Sequence, residues 1–309
     1  MKYKLLKMYF HTGVHIGNGM LTDGNSVIYA DTLFSALCHE ALLLPDGVGR
    51  LYQVFQQGRL RISDAMPYVR DNYYVPRPMI VIQSEEGDSK KKKAFKKLKY
   101  IPIQKMDQYV KAKLDAEKEV DEYSGFAAYE MRTGANITRE DDAKPFHVGV
   151  CHFKEGCGLY VCIGYTEEDD LEYLLTLFES LGFTGIGGKK SAGLGKFSIM
   201  PENCPNEFCD RFDNQHSYDT YMSLSLTLPK EDEMEAVCEG ANYLLKKRSG
   251  FVASNTYSLE FQKKKTIYMF DSGSIFRHQF EGDIYDVSNK NSHPVYRYAY
   301  PFFMGVTEV

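Results

Sequence analysis

The most constraining feature of this chain is the glycine-rich segment 182–196, which holds six glycines, three lysines and one serine. Glycines let the backbone adopt positive φ angles and come close to a ligand. The ammonium and hydroxyl groups are donors that suit phosphate. An apolar stripe between Leu171 and Leu181 predicts an amphipathic helix that begins near Glu167, and residues 196–200 predict a strand. The segment therefore connects a helix to a strand.

This order excludes two common phosphate-binding motifs. A P-loop and a dinucleotide fingerprint both connect a strand to a helix and use the helix N-terminus. The spacing Gly188-Lys189-Lys190-Ser191 also matches neither motif. The segment predicts a cradle for the phosphate backbone of a polynucleotide rather than a nucleotide pocket. A glycine-rich turn packed on its own sheet is the structural alternative.

Composition limits the classes of protein further. The chain has 309 residues, long enough for two domains, and 43% of them are apolar. The N-terminus resembles no signal peptide and no apolar run is long enough for a membrane helix, so we expect no membrane partner. Seven scattered cysteines favour reduced thiols in a cytoplasmic protein.

Charge is distributed unevenly along the chain. A net charge of −5 argues against a free-standing, non-specific nucleic-acid binder. The positive residues nevertheless cluster, in the glycine-rich segment and in runs at 90–99, 246–248 and 263–265. An acidic body with local basic tracks suits a subunit that meets RNA on one side and proteins on the others.

The order of predicted elements indicates an α+β fold. Residues 2–10 predict a strand, Asp31 or Thr32 caps a helix, and strands follow near 78–82, 146–152 and 159–165. With the helix and strand around the glycine-rich segment, this is the βαββαβ order of a ferredoxin-like unit, as in RNA-recognition motifs.

A second unit begins after the polar linker 202–217. A strand is predicted over 221–228, a helix from Pro229 to the basic residues 246–248, and strands over 266–270, 274–277 and 294–306. We therefore predict two tandem ferredoxin-like (RRM-like) domains, residues 1–201 and 218–309.

The first domain carries an insertion over residues 83–145 that a compact sheet does not require. Its segment 106–123 has helical character, and residues 127–150 predict a protruding hairpin with its tip near 133–136. A segment this long within a domain is usually functional or mobile. The hairpin is either an arm that grips a nucleic-acid strand or a surface loop.

Several motifs follow one another along nearly the whole chain. They are Gly13-Val-His-Ile-Gly17, Asp31-Thr-Leu-Phe-Ser-Ala36, the loop from Gly185 to Gly195, Arg248-Ser-Gly-Phe-Val-Ala-Ser254, Asp271-Ser-Gly-Ser-Ile-Phe276 and His293-Pro-Val-Tyr-Arg-Tyr-Ala-Tyr-Pro-Phe302. In this order they resemble the RAMP superfamily of CRISPR effector proteins. Within it they resemble the family of the fourth subunit of the type III-A Csm complex.

This resemblance implies a non-catalytic RNA-binding subunit of an antiviral ribonucleoprotein. Such a subunit would hold the 5′ handle of the CRISPR RNA (crRNA) against the glycine-rich loop, and the insertion would include a thumb-like hairpin. Its partners would be the large Csm subunit with polymerase and nuclease domains and the backbone RAMP subunit, and it would meet target RNA only indirectly. No cofactor is implied.

The candidate RNA-binding residues lie in four segments. Phosphate contacts position a strand without reading its sequence, and glycine amides and lysines can supply them. Unpaired handle bases can be held by stacking and hydrogen bonds. The candidates are Gly185, Gly187, Gly188, Lys189, Lys190, Ser191, Gly193, Gly195 and Lys196 in the loop, His15 and Asn18 in the first turn, Arg132 and Arg139 in the hairpin, and Arg248, Phe251 and Ser254.

Two other functions stay open on sequence alone. A metal-independent RAMP endoribonuclease that processes CRISPR repeat RNA needs a general base and acid, for which His11, His15 and Tyr29 are candidates. A scaffold that meets no RNA is the third class. Zinc is only weakly supported, because Cys204 and Cys209 have loose spacing and no second pair.

Overall fold

The fold was analysed in a computed structural model, which describes residues 1–17, 19–80, 89–136, 144–214, 217–253, 262–289 and 293–307. It is a mixed α/β structure in which every paired strand is antiparallel to its neighbour. Among the described residues, no helix is long and apolar enough to cross a membrane.

A seven-stranded sheet is the centre of the molecule. Its strands run in the order β5-β4-β3-β8-β1-β9, and β2 also pairs with β8. The strands are β1 (Lys2–Phe10), β2 (Leu60–Ile62), β3 (Met66–Val69), β4 (Asn72–Pro76), β5 (Tyr100–Pro102), β8 (Cys157–Tyr165) and β9 (Phe197–Asn203). The predicted strands at 2–10, 159–165 and 196–200 are all present here, and β1 lies between β8 and β9.

Helices cover both faces of this sheet. On one face α1 (Ala30–Ala41), α2 (Gly47–Gln56) and α6 (Glu168–Thr184) pack on Leu6 and Met8. On the other face α7 (Asn206–Asp213) and the C-terminal strands pack on Leu5. We predicted Tyr3, Leu5, Met8 and Phe10 as one buried set. The structure corrects this, because β1 is covered on both sides and Leu6 is as buried as Leu5 and Met8.

The insertion is more ordered than its composition indicates. It forms α3 (Ser89–Lys97), strand β5 at the edge of the sheet, α4 (Met106–Val110) and α5 (Ala116–Ser124). Ala94 and Leu98 are buried, so the lysine run belongs to an amphipathic helix rather than to a solvated loop. The predicted helical character of 106–123 is present as α4 and α5.

A long two-stranded ladder follows the insertion. Strands β6 (Ala127–Asn136) and β7 (Lys144–Phe153) pair over ten positions, from Ala127 opposite Phe153 to Asn136 opposite Lys144. Residues 133–136, which we predicted near the tip of a hairpin, are the last four positions of β6 in this ladder.

The C-terminal region is built from short strands. A three-stranded sheet has the order β13-β10-β16, and β11 pairs with β12 and β14 with β15. Its elements are β10 (Thr220–Ser223), α8 (Met234–Cys238), β11 (Leu245–Arg248), β12 (Ile267–Phe270), β13 (Ile275–Phe276), β14 (Ile284–Asp286), β15 (Tyr296–Tyr298) and β16 (Phe303–Val306).

Several predicted elements differ from the structure. The helix predicted from Pro229 to residues 246–248 is limited to α8, because Gly240 adopts a positive φ of 65° and Leu245–Arg248 form β11. The strand predicted over 78–82 is absent in its described part, 78–80. The division into tandem ferredoxin-like domains at 201 and 218 stays a prediction.

Candidate nucleic-acid interface

The glycine-rich loop follows α6 directly and packs closely on the protein. Gly185 ends the helix with a φ of 88°, and its N–H donates to the Leu181 carbonyl. A Cβ on Gly187 would lie 2.4 Å from the His15 carbonyl oxygen, and one on Gly195 would lie 1.9 Å from the Ile186 carbonyl oxygen. These glycines therefore serve close backbone packing.

The amides of the loop are largely used inside the protein. The N–H groups of Gly185, Gly188, Gly193 and Gly195 donate to the carbonyls of Leu181, His15, Lys190 and Gly13, at 2.7–2.9 Å. We expected these glycines to present their amides to phosphate. For these four residues that expectation is wrong, because each donor already has a carbonyl acceptor.

The loop's side chains, in contrast, face outward. Lys189, Ser191 and Lys196 are exposed, and Lys190 is half-buried. Lys189 adopts a left-handed conformation with a φ of 59° at the start of the 3₁₀ turn Lys190–Ala192. A left-handed non-glycine residue is uncommon and stored backbone strain of this kind often lies at functional sites. The loop therefore presents ammonium and hydroxyl donors rather than a nest of amides.

The loop is docked on strand β7 of the ladder. Leu194 shares a small apolar cluster with Val148 and Val150, and the ammonium of Lys189 lies 4.5 Å from the centre of the Phe146 ring. The loop and the ladder thus form one continuous surface. Sequence reasoning missed Phe146 and Leu194, although the alternation Phe146, Val148, Val150 indicated an apolar face on this strand.

His15 connects the loop to the ladder from inside. It is only 5% exposed, its Nδ1 donates to the Gly149 carbonyl at 2.7 Å, and its own carbonyl accepts the N–H of Gly188. The imidazole is therefore fixed with Nδ1 protonated, because a carbonyl can only accept. This environment favours a structural role for His15.

Two hairpin arginines were predicted to grip RNA. Arg132 is exposed on β6, where its Nε lies 3.2 Å from Glu130 and its Nη2 lies 3.4 Å from Nε2 of His152. The hydrogen bond from Arg132 is the main cause that lowers the pKa of Glu130, and the hydrogen bond from His152 contributes less. Arg139 lies outside the described residues, as do Asn18 and Ser254.

Arg248 lies elsewhere, in a buried seam between α1 and the C-terminal region. Its guanidinium donates to both carboxylate oxygens of Asp31 at 2.8 Å and to the Thr32 hydroxyl at 2.9 Å, and Arg297 contacts the same carboxylate. Burial alone would raise the pKa of Asp31, but the two guanidiniums hold it below its ordinary value.

The seam also corrects our interpretation of the first helix. Asp31 was predicted as a helix cap, yet the cap position is Tyr29 and the Asp31 side chain turns to the two arginines. Phe251 is exposed, and its backbone forms an isolated antiparallel β-bridge with Lys263.

The residues considered for an endoribonuclease have different environments. His11 Nε2 lies 3.0 Å from the Ser198 hydroxyl, whereas His15 is buried against Gly149. Burial raises the pKa of Tyr29, which makes it a poorer acid at neutral pH. Within the described part of the chain, no three His, Cys, Asp or Glu residues are grouped to hold a metal ion.

Comparisons with known proteins identify the family. Residues 7–198 match the family described as the RAMP superfamily, and residues 216–306 match the family described as the CRISPR Csm4 C-terminal domain. A protein of Mycobacterium tuberculosis (strain CDC 1551 / Oshkosh) named CRISPR system Cms protein Csm4 is 34% identical over 295 residues, 95% of each chain. The chain belongs to the Csm4 family of the RAMP superfamily.

Other relatives agree with this assignment. A Csm4 protein of Streptococcus thermophilus is 32% identical over 315 residues and covers 98% of each chain. The fold is shared with a crystal structure of a Csm3–Csm4 subcomplex in the type III-A CRISPR-Cas interference complex, at 18% identity, a TM-score of 0.67 and coverage of 99% and 100%. It is also shared with a Csm1–Csm4 cassette in complex with cA4, at 19% identity, a TM-score of 0.61 and coverage of 100% and 99%.

Proposed function

We propose that this chain is the RNA-binding subunit that anchors the 5′ handle of crRNA in a type III-A Csm complex of the cytoplasm. In this role it carries out no catalysis. It joins the large subunit that holds the polymerase and nuclease domains to the backbone subunits, and the complex defends the cell against foreign nucleic acid. Family membership and the described associations of Csm4 relatives with Csm1 and Csm3 support the partners.

The observation that carries the RNA-binding proposal is the exposed face of the glycine-rich loop. One short loop carries these four polar side chains, and its backbone donates hydrogen bonds to the carbonyls of Gly13 and His15. They are Lys189, Lys190, Ser191 and Lys196. A fixed row of ammonium groups can hold a phosphate backbone in register without reading its bases. A constant handle requires this kind of contact.

The β6–β7 ladder extends this face. It is docked on the loop through Leu194 and Lys189, and Arg132 is exposed on its outer strand. We propose that this ladder is the thumb-like hairpin, that the first domain is a ferredoxin-like unit built on β9-β1-β8-β3, and that the C-terminal domain is a modified second unit. Arg139, Asn18 and Ser254 stay predictions for RNA contacts.

Charge reversal at the loop tests this function. In the assembled complex, Lys189→Glu with Lys190→Glu should leave assembly intact and weaken handle protection. Log affinity decreases with log salt, and the magnitude of this slope should become smaller by about 1 to 1.5. Each single-strand phosphate contact contributes about 0.7 to it, and the variant loses two lysines.

The matched control is Lys111→Glu with Lys113→Glu, which makes the same charge change at two exposed lysines beyond α4. This control should not change handle binding. Unchanged RNA affinity in the loop variant would instead favour the scaffold interpretation. Cleavage of repeat RNA by the wild-type chain, lost in His11→Ala, would favour the endoribonuclease.

A further inference from the structure

A cavity of about 360 Å³ lies between α1, the start of α2 and the C-terminal strand β15. Its wall is mostly apolar and includes Leu42, Val48, Val295 and Tyr296. The Tyr296 ring is held in place by stacking on Tyr52, with ring centres 4.7 Å apart. The volume is near the lower end of the range for small-ligand sites, about 300–1,000 Å³. It suits one flat group rather than several.

The polar part of the same cavity includes one ammonium group and one neutral imidazole. Lys264 and His39 both line it. Burial is the main cause that lowers the pKa of Lys264, and repulsion from Arg297 is the second. Burial is the main cause that lowers the pKa of His39, and repulsion from Lys190 and Lys264 lowers it further. The next residue, Glu40, accepts hydrogen bonds from the hydroxyls of Ser180 and Thr184 at the end of α6, so this end of α1 lies beside the start of the glycine-rich loop.

Buried arginine donors lie close to the cavity. Arg248 and Arg297 both contact Asp31, and Lys264 in the cavity lining interacts with these charges. Nε and Nη2 of Arg297 are buried without a hydrogen-bond partner among the described residues. Burying donors of a charged group is costly unless an acceptor reaches them.

We propose that this cavity binds one unpaired nucleotide, with its base against the apolar wall and its phosphate between Lys264 and His39. The inference rests on the proposed function, since the nearest source of such a group is the RNA held by the glycine-rich loop. A base that is unstacked and inserted between side chains is a common way to recognise single-stranded RNA. A free mononucleotide has the same chemistry, and the experiment separates the two sources.

The first experiment uses the assembled complex. Guide RNAs carry 2-aminopurine at one handle position at a time, and fluorescence reports the environment of that base. One position should show a distinct signal, and Lys264→Met should reduce the fraction of that base in the bound state about tenfold, as expected for loss of a charge-assisted contact. Ser35→Leu, a change to a good helix former in the cavity wall, should have a similar effect.

Lys265→Met is the matched control, because Lys265 is the next lysine along the chain and is exposed outside the cavity lining. This variant should keep the signal. If no handle position gives a signal that Lys264→Met or Ser35→Leu alters, the inference is overturned. The salt dependence of handle binding through Lys189 and Lys190 would be unaffected, so the proposed function would stand.

The second experiment tests the free nucleotide. The chain contains no tryptophan, so Leu42→Trp places a single fluorophore at an exposed position of the cavity wall. Saturable quenching of the full-length variant by AMP, reversed by Lys264→Met, would show that the cavity also accepts nucleotides from solution. A response in the RNA experiment alone identifies the handle as the source. Equal binding of inorganic phosphate and AMP would contradict a role for the base.

Discussion

Two groups of basic residues on this chain look alike in the sequence and have opposite environments in the structure. Arg297 is buried and Arg248 half-buried in the seam between α1 and the C-terminal region, where both contact Asp31. Lys189 and Lys196 are exposed on a loop that follows α6. The seam arginines hold two parts of the chain together, and the loop lysines are available to a partner.

The comparison shows what a basic residue needs before it can bind RNA. A guanidinium paired with a buried carboxylate has its charge compensated, and removing it from that partner is costly. An exposed ammonium on a rigid loop keeps its charge for phosphate. The stability of the fold should therefore depend on the seam, and RNA binding should depend on the loop.

The largest expected effect is at the seam. Asp31→Asn leaves the buried Arg297 and the half-buried Arg248 without their shared counter-charge, so the free energy of unfolding should fall by about 3 to 5 kcal/mol. Urea denaturation measures this change. Asp121→Asn at an exposed position of α5 is the control and should change stability by less than about 0.5 kcal/mol. A loss at Asp31 of under about 1 kcal/mol would contradict a structural role for the seam.

The next effect compares a loop glycine that is needed for close packing with one that is needed only for its positive φ. Gly195 has a φ of 77° and a Cβ there would lie 1.9 Å from the Ile186 carbonyl oxygen, whereas Gly193 has a φ of 80° and open space around it. Gly195→Ala should destabilise the chain by about 3 kcal/mol and Gly193→Ala by about 1 kcal/mol. Thermal unfolding of the two variants compares them. Equal losses would show that packing against Ile186 contributes nothing.

A buried carboxyl beside the seam should make stability depend on pH. Burial is the main cause that raises the pKa of Asp64 to about 7, and its Oδ1 accepts the N–H groups of Ala30 and Leu226. The folded pKa is above the unfolded value of about 4, so the stabilisation is complete below pH 4 and is lost as pH rises through 7.

The variant Asp64→Asn keeps the acceptor and removes the ionisation. Between pH 5 and pH 8 the wild type should therefore lose about 2 to 3 kcal/mol of unfolding free energy relative to the variant. Urea titrations at a series of pH values measure the difference. Parallel curves for the two proteins would show that the Asp64 pKa is not raised.

Three of the seven strands of the central sheet, β1, β8 and β9, were predicted because their signals are local. The alternation around β1, the apolar stripe of α6 and the glycine-rich turn lie within short segments, and each formed close to its predicted bounds. The C-terminal helix failed for a tertiary reason. The apolar spacing of Met234, Val237 and Ala241 is helical, but Leu245–Arg248 pairs with the distant strand Ile267–Phe270.

The position of the loop lysines could be predicted from the sequence, but the contacts of the loop could not. The loop lysines could be found because charge and glycine occur together in one segment. That four glycine amides donate to carbonyls, and that Arg248 contacts Asp31 across 217 positions of the chain, follow only from long-range packing. A residue type and its spacing do not show which polar groups already have partners.

The smallest expected effect distinguishes Lys189 from Lys190, two of the three lysines of the loop. The ammonium of Lys189 lies over the Phe146 ring, and an exposed cation–π contact contributes about 0.5 to 1 kcal/mol. Lys189→Met should therefore lower the unfolding free energy by about 0.5 kcal/mol, and Lys190→Met should lower it less. Phe146→Leu should remove the difference between the two variants, because the ring contact is then absent from both. If the lysine variants together cost as much stability as Asp31→Asn, the loop would be a second seam, and the separation of structural from RNA-binding cations would be lost.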